Sequence, residues 1–415
     1  MKKRNFLKRV LLTLIISSTV LSAVGCGGMS SEDLMKDVTP SSGNNGDFDN
    51  KSAETVDFAI RLMQNTVEDG KNTLLSPLSV LTAMAMTFNG AEGNTLAQFE
   101  ETVGVKRDEL NGFLSEYLKN LPEGEKYKLN VANSIWVRDD GFTVNGDFLQ
   151  KNADSYRADF YKTPFDNSTL KDINNWVERE TDGMIKNVLD NIPSAAVMYL
   201  INALAFEAEW NEVYKKTDVS EGIFHTAGGE KQPVDFMYGA ENKYLFDGDA
   251  EGFIKYYSGK KYAFAALLPR EDMPLSEYVA SLSGEKLLNI LSDAVNVAVY
   301  SAIPKFETEY DCDMSGILAD MGIKDAFDGL AADFSGLGTA GGDNLFINRV
   351  IHKTFISVAE KGTKAGAVTM VEVNTTGADS IGDEKHVVLD RPFLYMIIDC
   401  ETNIPVFMGT LNSVK

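Results

Sequence analysis

The stretch Glu360–Thr376, EKGTKAGAVTMVEVNTT, decides how the rest of the chain is read. Every second residue from Thr363 through Ala365, Ala367, Thr369, Val371 and Val373 to Thr375 is small or β-branched. Within that run the formal charges, Lys364 and Glu372, fall on the opposite parity. Side chains of a strand alternate between its faces, so one face is fit for burial. Yet Gly362, Ala365, Gly366 and Ala367 are poor strand formers, and the GADSIGDEKH that follows is polar and turn-like. The pattern describes an exposed loop able to become a strand. It also fits an ordinary edge strand running into a long surface loop, and the surrounding chain has to decide between the two.

Outward from that stretch, strands dominate the second half: Tyr262–Leu268, Val295–Ala302, the Phe346–Val358 run and Phe393–Asp399. Helical patterns dominate the first half. Ala53–Glu68 carries an apolar stripe at Val56, Ala59, Leu62, Met63 and Val67, closed by Gly70. In NTLLSPLSVLTAMAMTFNGAEGNT (Asn72–Thr95), Ser76 is placed to cap a helix, Pro77 to fill its first turn and Gly90 to end it. That helix is apolar nearly all round and should be buried. Leu129–Val137 and Val197–Phe206 read as strands, and Ser168–Leu189 as one long amphipathic helix with Ile173, Trp176 and Val177 inward. Helices early and strands late, without regular alternation, imply an α+β fold with mainly antiparallel sheet. No internal repeat interrupts it, so residues 51–415 form one expected domain.

The 415 residues, 44% hydrophobic and 24% charged, are enough for a large core. Residues 1–25 read as a secretion signal: a basic region to Arg9, an apolar run, then small residues up to Cys26. Ala23-Val24-Gly25-Cys26 resembles a bacterial lipobox, in which the cysteine is lipidated and becomes the mature N-terminus; a plain signal peptide beside a cysteine is the alternative. Residues 26–50 are rich in Gly, Ser, Asn and Asp and read as a flexible polar tether. The expected location is therefore extracytoplasmic, held to a membrane through the lipid.

Removing residues 1–25 takes away Lys2, Lys3, Arg4, Lys8 and Arg9 and no acid, moving the formal charge from −22 to −27. A field of that sign disfavours nucleic acid as a partner. With Cys26 lipidated, Cys312 and Cys400 remain and read as free thiols.

Taken together, LLSPLSVLTAMAM, LNVANSIWV, INNWVERETDGMI, INALAFEAEW, IPKFETEYD, MGIKDAFDGLAADFSG, VIHKTFISVAEKGTKAGAVT and VVLDRPFLYMI resemble the serpin family, in order and over nearly the whole mature chain. Asp390, Arg391, Pro392 and Phe393 match its C-terminal signature. The resemblance implies three β-sheets, eight or nine helices and an exposed reactive loop, here about residues 360–389. It also implies a metastable fold whose central sheet lacks a strand that the cut loop can supply. Serpin loop insertion is the established case of such strand addition. The implied hinge is Glu360, Gly362, Thr363, Ala365, Gly366, Ala367, Val368 and Thr369. Val368 and Gly366 depart from the usual residues without blocking insertion, and Glu207 and Ala208 stand where lysine and glycine are usual.

Ser76, Ser79, Asn202 and His352 could be read as nucleophile and base. The chain has three histidines and lacks a GxSxG elbow, an HExxH helix, a CxxC pair and a phosphate loop. In serpins the four matching positions form a buried polar network under the central sheet, so the resemblance implies a structural role, with no catalytic residue, metal or cofactor. Counting from Gly362, family spacing places Thr376 before the scissile bond and Gly377 after it, with a register window covering Asn374, Thr375 and Ala378. These are small and uncharged, which suits an elastase-like or subtilisin-like serine protease, or a cysteine protease of similar preference. The expected function is a monomeric suicide-substrate inhibitor. The alternative is a non-inhibitory serpin acting as a binding module or protease substrate.

Overall fold

Helix Pro77–Phe88 forms where a cap, a proline and an apolar run coincide: the Ser76 side chain accepts from the Ser79 N–H, Pro77 occupies the first turn, and every residue of the helix is buried. Around it the computed structural model describes residues 30–41, 50–121, 124–156, 158–194, 196–339, 341, 344–363 and 384–415. The expectations for Cys26, for hinge residues Ala365, Gly366, Ala367, Val368 and Thr369, and for Asn374, Thr375, Thr376, Gly377 and Ala378 lie outside these residues.

The described residues contain nine α-helices and sheets of seven, nine and two strands. The seven-stranded sheet is built from β1 (Glu32–Asp33), β2 (Tyr127–Arg138), β3 (Asp159–Thr163), β4 (Met198–Glu209), β5 (Phe306–Asp313), β6 (Arg349–Ala359) and β7 (Gly362–Thr363). Its lateral order is β1-β3-β2-β4-β7-β6-β5, with β4 and β6 also paired directly. Pairing is antiparallel except where β2 meets β3, β4 meets β6 and Lys385–Val388 meets Val295–Pro304. The nine-stranded sheet carries Tyr262–Pro269, Phe393–Asp399 and Pro405–Leu411, all fully buried, which explains their unbroken apolar sequence. The main core lies between the two large sheets and around helix Pro77–Phe88. A second, smaller core of Trp136, Trp176, Ile201 and Ile351 sits under helix Asn167–Glu180 on the outer face of the seven-stranded sheet.

Two expectations are corrected. The long helix read over Ser168–Leu189 is helical only over Asn167–Glu180. Beyond it Asp182 (φ 51°) and Gly183 (φ 76°) turn the chain back, and the Asn174 side chain ties down the backbone of Val188 and Leu189. The second concerns the expected tether: Ser30–Ser41 lies along the sheet edge. Asp172 accepts bonds from the backbone N–H and hydroxyl of both Ser30 and Ser31, at 2.7–3.1 Å. Glu32 and Asp33 pair with Lys162 and Tyr161, and Leu34, Met35 and Val38 pack on the main core. Three apolar side chains in a polar segment were too few to signal docking, yet an open sheet edge needs little else to recruit a strand. Cys312 and Cys400 are free, as expected.

Candidate functional site

The chain leaves β6, turns at Glu360–Lys361 and returns as β7 between β4 and β6. Thr363 is paired with Val358 on one side and Ala208 on the other, and Gly362 with Ala359 and Glu209. A Cβ at position 362 would stand 1.9 Å from the Ala208 carbonyl oxygen, so only glycine fits this close approach. Thr363 is 1% exposed and faces the core, where its hydroxyl shares a hydrogen bond with the Tyr257 hydroxyl. The inward parity read for Thr363 is therefore the one found.

The turn is anchored from beneath. Trp210 donates from its indole N–H to the Ala359 carbonyl and from its backbone N–H to that of Lys361, both at 2.8 Å, and Tyr214 N–H donates to the Glu360 carbonyl. Lys305 Nζ lies 2.9 Å from Glu360 Oε1. Burial opposes ionisation of Glu360, but the Lys305 bond and a backbone N–H outweigh it and hold the carboxyl below its usual range. Under Trp210, which stacks on Tyr257, the Lys255 ammonium sits 4.3 Å from the Tyr214 ring centroid and 2.8 Å from Glu241.

Further down the same two strands, β4 and β6 pair directly from Tyr199↔Arg349 to Ala203↔Lys353. The four residues singled out in the sequence meet here. His352 and Asn202 are direct partners across the pair, with His352 Nδ1 2.9 Å from Asn202 Oδ1. His352 Nε2 accepts from the Ser76 backbone N–H at 3.1 Å, so the ring proton resides on Nδ1 and is donated to Asn202. Asn202 Nδ2 then donates to Ser79 Oγ and, at 2.6 Å, to Asn133 Oδ1 on β2. Burial lowers the His352 pKa to about 3, keeping the ring neutral. Asn133 was missed; its only signal in the sequence is a polar residue among apolar neighbours in LNVANSIWV.

This arrangement is not that of a hydrolase. The imidazole bonds to a backbone N–H and an amide, not to a hydroxyl, and the Ser76 and Ser79 hydroxyls accept rather than point at a base. His352, Ser76 and Ser79 are 0% exposed. The surface cleft of about 940 Å³ that includes Gln64, His225, Arg270 and Arg391 contains none of the four. What the network does is pin together the two strands that flank β7. Among the described residues, no group of three or more His, Cys, Asp or Glu is placed to hold a metal.

Known proteins share this fold. The family model described as "Serpin (serine protease inhibitor)" matches residues 53–414. An uncharacterized serpin-like protein of Thermococcus kodakarensis is 30% identical over 86% of this chain and 84% of its own length. Among solved structures, the thermophilic serpin tengpin in its native state is 44% identical, covers 92% of this chain and 100% of its own, and superposes with a TM-score of 0.89. Tengpin in its latent state, 45% identical and covering 89% of this chain and 100% of its own, gives 0.79. The chain as a whole thus superposes more closely on the native form than on the latent one.

Proposed function

Since the chain belongs to the serpin family, whose members are in the main protease inhibitors, we propose that it is an inhibitory serpin. It traps extracytoplasmic serine proteases that prefer small residues. The observation that carries this is β7: the first two residues of the loop root are already seated between β4 and β6, glycine where nothing larger fits and threonine facing the core. The chain beyond them keeps the same inward parity of small, uncharged residues through Thr375.

In this mechanism the protease attacks the carbonyl of Thr376 and forms an acyl-enzyme, releasing the amine of Gly377. The freed segment extends β7 down the sheet, parting the rows from Ala203↔Lys353 to Tyr199↔Arg349. Roughly a dozen residues gaining strand hydrogen bonds at about 0.5–1.5 kcal/mol each supplies a driving force on the order of 10 kcal/mol. Dragging the enzyme along the sheet displaces its nucleophile and oxyanion hole, and deacylation stalls.

The test is incubation with subtilisin-like and elastase-like proteases. A denaturant-resistant complex and a released peptide beginning at Gly377 support the reading; clean cleavage without a complex favours a substrate or binding role. Thr376→Arg should redirect the inhibitor to trypsin-like enzymes, since only the pocket contact changes. Attachment is proposed to be through lipid on Cys26. Cys26→Ala should free the domain from membranes, and an N-terminal peptide without lipid would refute that anchor.

A further inference from the structure

We propose that Ser30–Ser41 is a releasable strap. It fixes the membrane-anchored end of the chain at the pole of the sheet opposite the reactive loop, and it has to peel away when loop insertion carries the protease to that same pole. This rests on the proposed inhibition and on lipid at Cys26.

The placement follows from strand register. Glu32 is paired with Lys162, Lys162 with Val137 and Val137 with Met198, so the strap lies level with the start of β4. The loop root lies level with its end, at Ala208, on the order of 33 Å away. Since β1 is antiparallel to β3, β3 parallel to β2 and β2 antiparallel to β4, β1 runs toward the loop end. The residues before it therefore depart from the far pole, where Ser31 Oγ bonds Thr163 Oγ1 at the end of β3. From Cys26 to Ser30 the chain spans at most about 14 Å.

Trapping ends at the same place. Continuing the register Thr363↔Ala208 would set Val373 opposite Met198, with the acyl-bearing Thr376 just beyond the start of β4. A protease domain of about 250 residues is roughly 45 Å across and does not fit in a gap of about 14 Å. Undocking the strap lengthens the span from Cys26 to the first helix, at Ser52, to roughly 85 Å. The strap is built to yield: none of its twelve residues is fully buried, and its Glu32–Lys162 ion pair leaves Glu32 62% exposed.

The test locks the strap by a disulfide between Glu32→Cys and Lys162→Cys in the mature lipidated chain on phosphatidylcholine vesicles, then adds a subtilisin-like protease. The fraction trapped as covalent complex, against chains simply cleaved, should fall at least fivefold when the disulfide is oxidised and recover on reduction. The same pair in a Cys26→Ala chain free in solution should show no such loss. Equal trapping on vesicles overturns the proposal, as does an equal loss in solution, which would make the strap a brace on the sheet itself. Failure of the free chain to form any complex defeats the inhibitor reading instead, and an N-terminal peptide without lipid defeats the anchor. As a second variant, Asp172→Ala removes the acceptor of Ser30 and Ser31. It should speed hydrogen exchange of Ser30–Ser41 at least tenfold while trapping on vesicles is kept; unchanged exchange contradicts release.

Discussion

The hydroxyls of Tyr257 and Thr363 are hydrogen-bonded to each other inside the core, which makes the second residue of the loop root part of the folded sheet before any cut is made. Its substitution should therefore act on the intact protein as well as on inhibition. Thr363→Val keeps the shape but leaves the Tyr257 hydroxyl without this partner, a cost of about 1–3 kcal/mol in denaturant unfolding. Thr363→Arg adds an unpaired buried charge and should expel β7, turning inhibitor into substrate, read as a rise in chains cleaved per enzyme trapped.

Gly362→Ala should have a similar outcome by a different cause. Its Cβ would meet the Ala208 carbonyl oxygen at 1.9 Å, and since that neighbour is backbone, β7 must leave or the strands must spread. A loss of about 1–3 kcal/mol is expected. Stability equal to that of the parent would show that the hinge is not seated between β4 and β6.

His352 imposes a pH dependence. Its pKa is lowered to about 3 in the folded state against about 6.5 unfolded, so between these values the unfolded chain binds the extra proton. The stabilisation is complete above about pH 6.5 and is lost as pH falls toward 3, the loss reaching about 2 kcal/mol by pH 5. His352→Gln should flatten the stability curve between pH 6.5 and 5, measured by unfolding of both proteins across that range; parallel curves would contradict it.

The Lys255–Glu241 pair beneath the turn is nearly buried, and desolvation raises the Glu241 pKa even with Lys255 beside it. Lys255→Met alone strands a buried carboxylate and should cost about 3–5 kcal/mol. Adding Glu241→Gln should recover much of that loss, as a double-mutant cycle in chemical unfolding would reveal.

Much of this was legible in the sequence because its signals were local. Ser76, Pro77 and an apolar run specify their helix, and the parity of Thr363 is an alternation that any strand would impose. The polar quartet was identified through resemblance, but its wiring was not legible: whether His352 faces a serine hydroxyl or the Ser76 backbone N–H depends on strands distant in sequence. Asn133, Tyr257 and Lys255 were missed for the same reason, since their partners lie 69, 106 and 14 residues away. The docking of Ser30–Ser41 depends on an edge formed by β3 and on Asp172 in a helix, neither of which leaves a mark on the segment itself.

Insertion of the cut loop is the centre of the proposed function, and thermal unfolding before and after cleavage within Asn374–Ala378 tests it most directly. If the segment following β7 becomes a full strand between β4 and β6, the cleaved protein melts far above the intact one, by tens of degrees, because the sheet is then complete. Melting of the cleaved protein at or below the temperature of the intact one would contradict insertion, and with it the inhibitory mechanism.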